Sequence, residues 1–283
     1  MMDLTNRTYS KIKKPKIGLA LGSGGARGLA HIGVIKILEE KNVPIDFIAG
    51  SSIGALVGGL YAATKDIKRV EKIALGINWR QMLRFIDFSF HQGFIGGGKV
   101  KRFIEDNVGK ANFEDCKIPL SIVATDLKTG EIVVINKGKI APAIRSSISF
   151  SLVFKPIELE DRLLADGGLS LPVPVRVVRE MGADIVIAVN LDTNYFESNY
   201  KDELGFYKIA ISSINLLRYH LASWNIVDAD VVINPKFGYV NITKFLNGKD
   251  LIIEGEKAAR EALPQLRATI ENITKSVKSE TST

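Results

Sequence analysis

The sequence has very little cysteine and histidine. Of its 283 residues, one is a cysteine, Cys116, and three are histidines. A single cysteine excludes a disulfide within the chain, and three histidines with it cannot supply a structural metal site of the Cys/His type. We therefore predict no metal and no cofactor, and a chain suited to a reducing compartment.

Long apolar runs are also missing. No stretch approaches the roughly 18 apolar residues that a membrane-spanning helix requires. The first residues, 1–16, are polar and basic and lack the apolar core of a signal peptide. The sequence therefore predicts a cytoplasmic protein.

The charge excess is modest. Lysine and arginine number 38 against 31 aspartates and glutamates, which gives a net charge of +7. Such an excess is compatible with an anionic lipid surface, with acidic substrates, or with an ordinary solvated surface. We expect a basic arm over 1–15 that can touch an anionic membrane peripherally, and no nucleic-acid partner.

Composition and length fit one globular domain. Hydrophobic residues make up 46% of the chain and charged residues 24%, and we find no internal repeat or linker. We expect a disordered arm over 1–15, a single domain over 16–275 and a disordered tail over 276–283.

A strand pattern, a glycine-rich corner and a helix pattern meet between Ile45 and Ala63. The apolar run at 45–49 predicts a buried strand, and beyond the corner the apolar spacing is that of one helix face. Between them stands Gly50-Ser51-Ser52-Ile53-Gly54. This is the G-x-S-x-G pattern, in which a sharp strand-to-helix turn exposes a serine hydroxyl at the top of a sheet. Ser52 is therefore a candidate nucleophile, although alone the five residues also fit a structural turn.

A second glycine-rich corner lies earlier in the chain. The strand predicted over 16–21 runs into Gly22-Ser23-Gly24-Gly25-Ala26-Arg27-Gly28, and a helix follows. Backbone N–H groups at such a corner favour negative charge. The loop fits either a dinucleotide site, with Asp46 near the ribose, or an oxyanion hole made by the amides of Gly24 and Gly25. The serine elbow on the next strand favours the oxyanion hole.

Strand, glycine loop, helix and strand form a βαβ unit. This unit predicts an α/β fold with a mostly parallel sheet covered on both faces. Further strands are predicted over 118–124, 132–135, 185–189 and 231–233, and further helices over 140–149, 206–224 and 251–273. An aromatic-rich segment at 79–98 fits either a flap that opens at an interface or a loop that fills the core.

A serine nucleophile needs a base. The three imidazoles, His31, His91 and His220, do not follow predicted strands, so a surface or structural role is favoured for each. Asp166 stands at a predicted strand end before Gly167 and Gly168, which leaves its carboxylate uncrowded, and it is the better base. Arg27 either shapes the glycine loop or attracts a phosphate-bearing substrate, and the structural role is favoured.

Three of these motifs together resemble the patatin-like phospholipase family. The resemblance rests on Gly24–Gly28, on the elbow at 50–54 and on Asp166-Gly167-Gly168, in the family's order, and it extends from about Lys16 to Ala259. Further matching residues between elbow and aspartate are Arg145, Ser146, Ser147, Phe154 and Pro156. The chain departs from the family pattern at Ser23, where a glycine is usual, and at Ser151, where a proline is common.

The resemblance implies a three-layer α/β/α fold and a Ser52–Asp166 catalytic dyad without histidine. It also implies hydrolysis of lipid-like esters, with Gly24 and Gly25 as the oxyanion hole. Acyl transfer to another acceptor would use the same acyl-enzyme. A lipid-binding or regulatory protein with a vestigial site is the main alternative of another class, and a nicotinamide enzyme is a more distant one.

Overall fold

A computed structural model describes residues 14–76, 98–150, 154–193, 205–237 and 248–280. Within these ranges eight strands form one sheet: β1 (Ile17–Leu21), β2 (Phe47–Ser51), β3 (Leu120–Asp126), β4 (Ile132–Ile135), β5 (Ile157–Leu159), β6 (Arg162–Asp166), β7 (Ile185–Val189) and β8 (Val231–Ile233). The described helices are α1 (Ala30–Glu40), α2 (Ile53–Thr64), α3 (Ile67–Gly76), α4 (Gly98–Val108), α5 (Ile140–Ser147), α6 (Val175–Glu180), α7 (Phe206–Asn225) and α8 (Gly248–Glu280).

The centre of the sheet is parallel. Strands β3, β2, β1, β7 and β8 lie side by side in that order, and each neighbouring pair runs in the same direction. Strands β4 and β6 are antiparallel to β3, and β5 is antiparallel to β6. The predicted α/β class with a mostly parallel sheet is therefore confirmed.

Strand β3 brings the ends of two other strands together. One edge of β3 pairs with β4, where Val123 and Ala124 lie opposite Val134 and Val133. On the other edge, Val123 pairs with Ser51 at the end of β2, and Ala124 pairs with Asp166 at the end of β6. The two strands therefore end against consecutive residues of the same edge of β3.

Helices cover both faces of the sheet. On one face the core joins β1, β2, β3 and β7 to α1, α2, α5 and α8, and its buried residues are almost all aliphatic. On the other face a smaller core packs α6 and one residue of α7, Ala222, against the same strands. These are the three layers that the resemblance implies.

Most predicted elements lie close to their expected positions. Strand β5 (Ile157–Leu159) was not predicted, and the other differences are at the ends of elements. The C-terminal helix is longer than predicted: it begins at Gly248 and continues to Glu280, so residues 276–280 are helical where a disordered tail was predicted. No glycine or proline interrupts the chain after Pro264, so nothing in the sequence stops the helix at Ile273. The aromatic segment at 79–98 lies outside the described residues, apart from Gly98.

Within the described ranges, none of the helices is long and apolar enough to cross a membrane.

Two glycines let α1 and α8 pack closely. A Cβ added to Gly33 would lie 2.0 Å from the carbonyl oxygen of Ile252, and one added to Gly255 would lie 2.0 Å from that of Ala30. These atoms belong to the backbone and cannot rotate away. The contact between the first and last helices therefore depends on the missing side chains.

We expect Gly255→Ala to destabilise the protein by about 2 kcal/mol or more, because an extra methyl group in a tightly packed contact moves backbone. Gly76→Ala is the matched control, since a Cβ at the end of α3 would meet no atom within 4 Å. The free energy of unfolding in urea measures both changes. Equal stability of the two variants would contradict the packing described for α1 and α8.

Candidate active site

Ser52 lies at the corner between β2 and α2. Its backbone has φ 55° and ψ −123°, a conformation that residues with a side chain rarely adopt. Glycines on both sides leave room for the corner. A Cβ on Gly50 would lie 2.6 Å from the backbone of Ala55, and one on Gly54 would lie 2.1 Å from the carbonyl oxygen of Leu21. The glycine spacing of the motif is thus a steric requirement of the turn.

The side chain of Ser52 contacts a carboxylate. Its Oγ donates a hydrogen bond of 2.6 Å to Oδ2 of Asp166, the last residue of β6. The backbone amide of Ser52 donates to Oγ of Ser147, at the end of α5, over 2.8 Å. The half-buried corner is therefore held by β6 on one side and α5 on the other.

Asp166 is fixed by its backbone and its side chain. Its amide donates to the carbonyl oxygen of Ser149, and its own carbonyl oxygen accepts from Oγ1 of Thr125. Its second carboxylate oxygen, Oδ1, accepts from the amide of Gly168 over 2.8 Å. With 4% of the residue exposed, the carboxylate has one oxygen bound to Ser52 and the other to the turn that follows it.

Burial makes Asp166 a stronger base than an exposed aspartate. Desolvation raises the pKa of Asp166 to about 6, against the opposing effect of the hydrogen bonds from Ser52 and Gly168. The positive charge of Arg218 lowers this pKa, and the negative charge of Asp192 raises it. The group is therefore ionised at neutral pH and has an increased affinity for a proton.

The glycine loop lies beside this pair. Gly25 has φ 58°, and a Cβ there would meet no atom of the described residues within 4 Å, so its backbone borders space that these residues leave open. A Cβ on Gly24 would lie 2.8 Å from the side chain of Leu191. Within the described chain, the amides of Gly24 and Gly25 donate no hydrogen bond to another residue. Two backbone donors next to open space are what an oxyanion hole requires.

Arg27 contacts the loop it belongs to. Its Nε donates to the carbonyl oxygen of Gly24 over 3.3 Å, and its Nη2 donates to Oδ1 of Asp192 over 3.3 Å. The guanidinium also lies 5.9 Å from the ring centre of Phe237. These contacts join the side chain of Arg27 to its own loop and to Asp192.

A buried aspartate behind the loop joins several elements. Asp192, which is 1% exposed, accepts hydrogen bonds from Nε and Nη2 of Arg218 on α7 over 2.8 and 2.9 Å. Its Oδ2 also accepts from Oγ of Ser23 over 3.0 Å. The glycine loop, the chain after β7 and α7 are thus tied together at one carboxylate.

The site therefore contains two serine–aspartate pairs with different surroundings. Asp192 is bound by two arginines and its partner Ser23 is 1% exposed. Ser52 is half-buried at a strained corner, and Asp166 has no arginine in hydrogen-bond contact among the described residues. The Ser23–Asp192 pair is suited to holding the glycine loop. The Ser52–Asp166 pair is suited to nucleophilic attack by the serine hydroxyl.

The histidines do not contact this second pair in the described residues. His31 is fully buried, and its Nε2 donates to the carbonyl oxygen of Gly22 over 2.8 Å. Burial lowers the pKa of His31 to about 4, so the ring is neutral and structural. His220 is exposed on α7 and lies against Tyr219. His91 lies outside the described residues.

Three residues of the site have no role in the predictions drawn from sequence. Ser147 appears there only as a matching position, and Asp192 and Arg218 not at all. The pair Asp192–Arg218 is separated by 26 residues and Ser23 from Asp192 by 169, so no local spacing marks them. An apolar strand that ends in Asn190-Leu191-Asp192 was the available signal, since polar residues at carboxyl ends of parallel strands often line a site.

Among the described residues, no three histidine, cysteine, aspartate or glutamate side chains cluster as metal ligands would.

The comparisons with known proteins agree with this geometry. The profile of the patatin-like phospholipase family matches residues 19–179, more than half of the chain. The chain therefore belongs to the patatin-like phospholipase family. An uncharacterized NTE family protein of Mycobacterium tuberculosis is 43% identical over 179 residues, which are 63% of this chain and 49% of that protein. The chain thus spans about half the length of this relative.

Similarity is also found to a fungal protein and to a solved structure. A lysophospholipase, nte1 of Emericella nidulans, is 34% identical over 182 residues, which are 62% of this chain and 12% of that protein. The crystal structure of VipD from Legionella pneumophila superposes with a TM-score of 0.54 at 13% identity, over 89% of this chain and 67% of that chain. At this identity the superposition supports the fold alone.

The raised pKa of Asp166 makes a prediction about stability. The folded protein holds this proton more tightly than the unfolded chain, whose aspartate has a pKa of about 3.9. Ionisation of Asp166 therefore lowers the free energy of unfolding. This destabilisation is absent below about pH 4, grows as the pH rises, and is complete above about pH 6. We expect the stability of Asp166→Asn relative to the parent protein to rise by about 2–3 kcal/mol between about pH 4 and pH 7.5. Urea unfolding at both pH values measures this, and a relative stability that stays level or falls with pH would contradict the raised pKa.

Proposed function

We propose that the protein is a serine acyl hydrolase of lipid-like esters that uses Ser52 as nucleophile and Asp166 as base. The observation that carries the proposal is the hydrogen bond of 2.6 Å from Ser52 Oγ to Asp166 Oδ2, at a corner of the backbone that leaves the hydroxyl half-buried. Membership of the patatin-like phospholipase family supports the same chemistry.

Formation of the acyl-enzyme begins with attack by Ser52 Oγ on the carbonyl carbon of the ester. Asp166 Oδ2 takes the hydroxyl proton as the new C–O bond forms. The pKa of about 6 favours this transfer, since an exposed aspartate would be too weak a base. The protonated acid then donates the same proton to the departing alcohol, and the carbonyl is restored.

The negative oxygen of the tetrahedral intermediate needs donors. We assign this role to the amides of Gly24 and Gly25, which donate no hydrogen bond to another described residue. Arg27 and Ser23 support this role by holding the loop through Asp192. Donors fixed before the reaction stabilise the transition state without reorganising during it.

Deacylation repeats the sequence with water as the nucleophile. Asp166 accepts a proton from water, hydroxide attacks the acyl carbon, and the acid returns the proton to Ser52 Oγ as the acyl group leaves as a carboxylic acid. No other base is required, which suits the absence of a histidine contact at the pair among the described residues.

The substrate class rests on the relatives. The matched proteins include ones named lysophospholipase and neuropathy target esterase, and the proposal takes from them an acyl ester of lipid type. It does not extend to a particular head group or acyl chain.

Ser52→Ala should abolish hydrolysis of a chromogenic acyl ester, because it removes the attacking oxygen and leaves the corner in place. Ser51→Ala is the matched control: Ser51 is the neighbouring serine, its Oγ is buried and has no hydrogen-bond partner in the described structure, and its loss should leave the rate within about twofold. Circular dichroism checks the fold of both. Turnover by Ser52→Ala close to that of the parent would exclude Ser52 as nucleophile.

Replacing the base should separate a dyad from a triad. Asp166→Asn keeps the shape of the side chain but cannot accept the proton, so we expect kcat to fall by about 10²–10⁴. His220→Gln and His91→Gln should retain most activity.

In the parent protein, kcat/KM should fall about tenfold per pH unit below about pH 6, as Asp166 becomes protonated. A histidine variant that loses as much activity as Asp166→Asn while still folded would show that the base is a histidine.

A further inference from the structure

Helix α7 has an apolar outer face. Its exposed large hydrophobic residues and the one just beyond its end include Phe206 at 87%, Leu217 at 70%, Trp224 at 79% and Val227 at 76% exposure. Ile209 and Leu216 are 49% and 39% exposed. These six of the nine exposed large hydrophobics in the described chain lie within 22 residues of sequence, 206–227. We name them the α7 stripe.

The stripe lies along one side of the helix. At 3.6 residues per turn, Phe206, Ile209, Leu216, Leu217 and Trp224 fall within an arc of about 100° around the helix. From Phe206 to Trp224 the stripe is about 27 Å long, at 1.5 Å per residue. Two exposed polar residues, Ser213 and His220, lie on the same side of the helix between the apolar residues. Large exposed apolar side chains grouped in this way are unusual for a face in water and indicate an interaction site.

The opposite side of α7 faces the candidate active site. Arg218 points inward and forms its two hydrogen bonds with Asp192, which binds Ser23 of the glycine loop. Ala222 is fully buried on the same side. The helix also packs against Gly167–Leu169, the turn that follows Asp166. The stripe is therefore separated from the site by about one helix diameter, roughly 10 Å.

The charge of the helix suits an anionic surface. Between Gly205 and Val227 the sequence contains no aspartate or glutamate, and the whole chain has a net charge of +7. The stripe has an aromatic residue near each end, Phe206 and Trp224, and both residue types are common where a helix lies at the boundary of head groups and acyl chains.

We infer that the α7 stripe docks the protein onto a lipid bilayer that contains anionic lipids, with α7 lying in the plane of the interface. This deepens the proposed function and rests on it in one respect: the bilayer that α7 contacts would be the source of the lipid ester that Ser52 attacks. The length of the apolar stripe and the absence of acidic residues along the helix favour a bilayer over a protein partner.

Cosedimentation with vesicles tests this inference. The parent protein should bind vesicles of equal parts phosphatidylcholine and phosphatidylglycerol, and bind those of phosphatidylcholine alone more weakly. Ile209→Glu and Leu217→Glu should each weaken partitioning on the order of tenfold, since each removes one apolar side chain from the interface and adds a charge that the bilayer repels. Ile253→Glu on α8 is the matched control, because Ile253 is 45% exposed and lies on another helix.

A second measurement follows the lipid contact directly. In a Trp79→Phe background Trp224 is the only tryptophan of the chain. Its emission should be that of a water-exposed indole in solution and should shift to shorter wavelength when the vesicles are added. Blue emission before vesicles are added would show that the stripe is already covered by the chain itself and would overturn the inference.

Hydrolysis of a short-chain, monomeric ester separates this inference from the proposed function. The two stripe variants should keep the parent rate on that ester and lose activity on the same vesicles with ester embedded. Vesicle binding that is equal in parent and stripe variants overturns the inference whatever the activity. A parent that is dimeric in solution, is made monomeric by Leu217→Glu and does not bind vesicles would place a second copy on the stripe and also overturn it. A parent that binds vesicles through the stripe but hydrolyses no ester leaves the inference standing and contradicts the proposed function.

Discussion

The hydrogen bond between Ser52 and Asp166 depends on how three strands meet. Strand β3 pairs with the end of β2 at Val123 and with the end of β6 at Ala124, so the serine corner and the aspartate come to adjacent positions on one strand. The parallel pairing of β2 with β3 positions Ser52, and the antiparallel pairing of β6 with β3 positions Asp166. A one-residue change of register in either pairing would turn the side chains to the opposite face and separate the two groups.

Conformational strain at the site is offset by contacts around it. Ser52 has an unfavourable backbone conformation, and Asp166 is ionised where water is excluded. Ser147 and the two strand ends hold the backbone of Ser52 in place. The amide of Gly168 and the hydroxyl of Ser52 donate hydrogen bonds to the carboxylate of Asp166. Behind the loop, Asp192 and Arg218 form a buried ion pair of good geometry, which links α7 to the same site. Helix α7 thus carries the α7 stripe on its outer side and contacts the turn that follows Asp166 on its inner side.

Sequence predicted the parts of this arrangement that local chemistry marks. The elbow around Ser52 and the loop at Gly24 and Gly25 have short patterns, because their backbone turns admit few residue types. Asp166 followed from its place before two glycines. The parallel centre of the sheet followed from the alternation of strands and helices.

The remaining features could not be predicted, because they depend on contacts between distant residues. Asp192 and Arg218 carry no motif, and the support of Ser52 by Ser147 crosses 95 residues. The extension of the last helix to Glu280 was not predicted, because terminal residues are ordered only where something holds them and the sequence does not show such a contact. The apolar outer face of α7 also escaped sequence analysis, since an amphipathic pattern does not say whether its apolar side is covered.

Covalent labelling tests most directly whether Ser52 is the nucleophile and is activated by Asp166. Fluorophosphonates react with activated serines, so peptide mass mapping of the labelled protein identifies the residue. We expect the label on Oγ of Ser52, and we expect Asp166→Asn to slow labelling on the order of a hundredfold or more. Label on another serine, or an unchanged labelling rate in folded Asp166→Asn, would show that Ser52 and Asp166 do not act in this way.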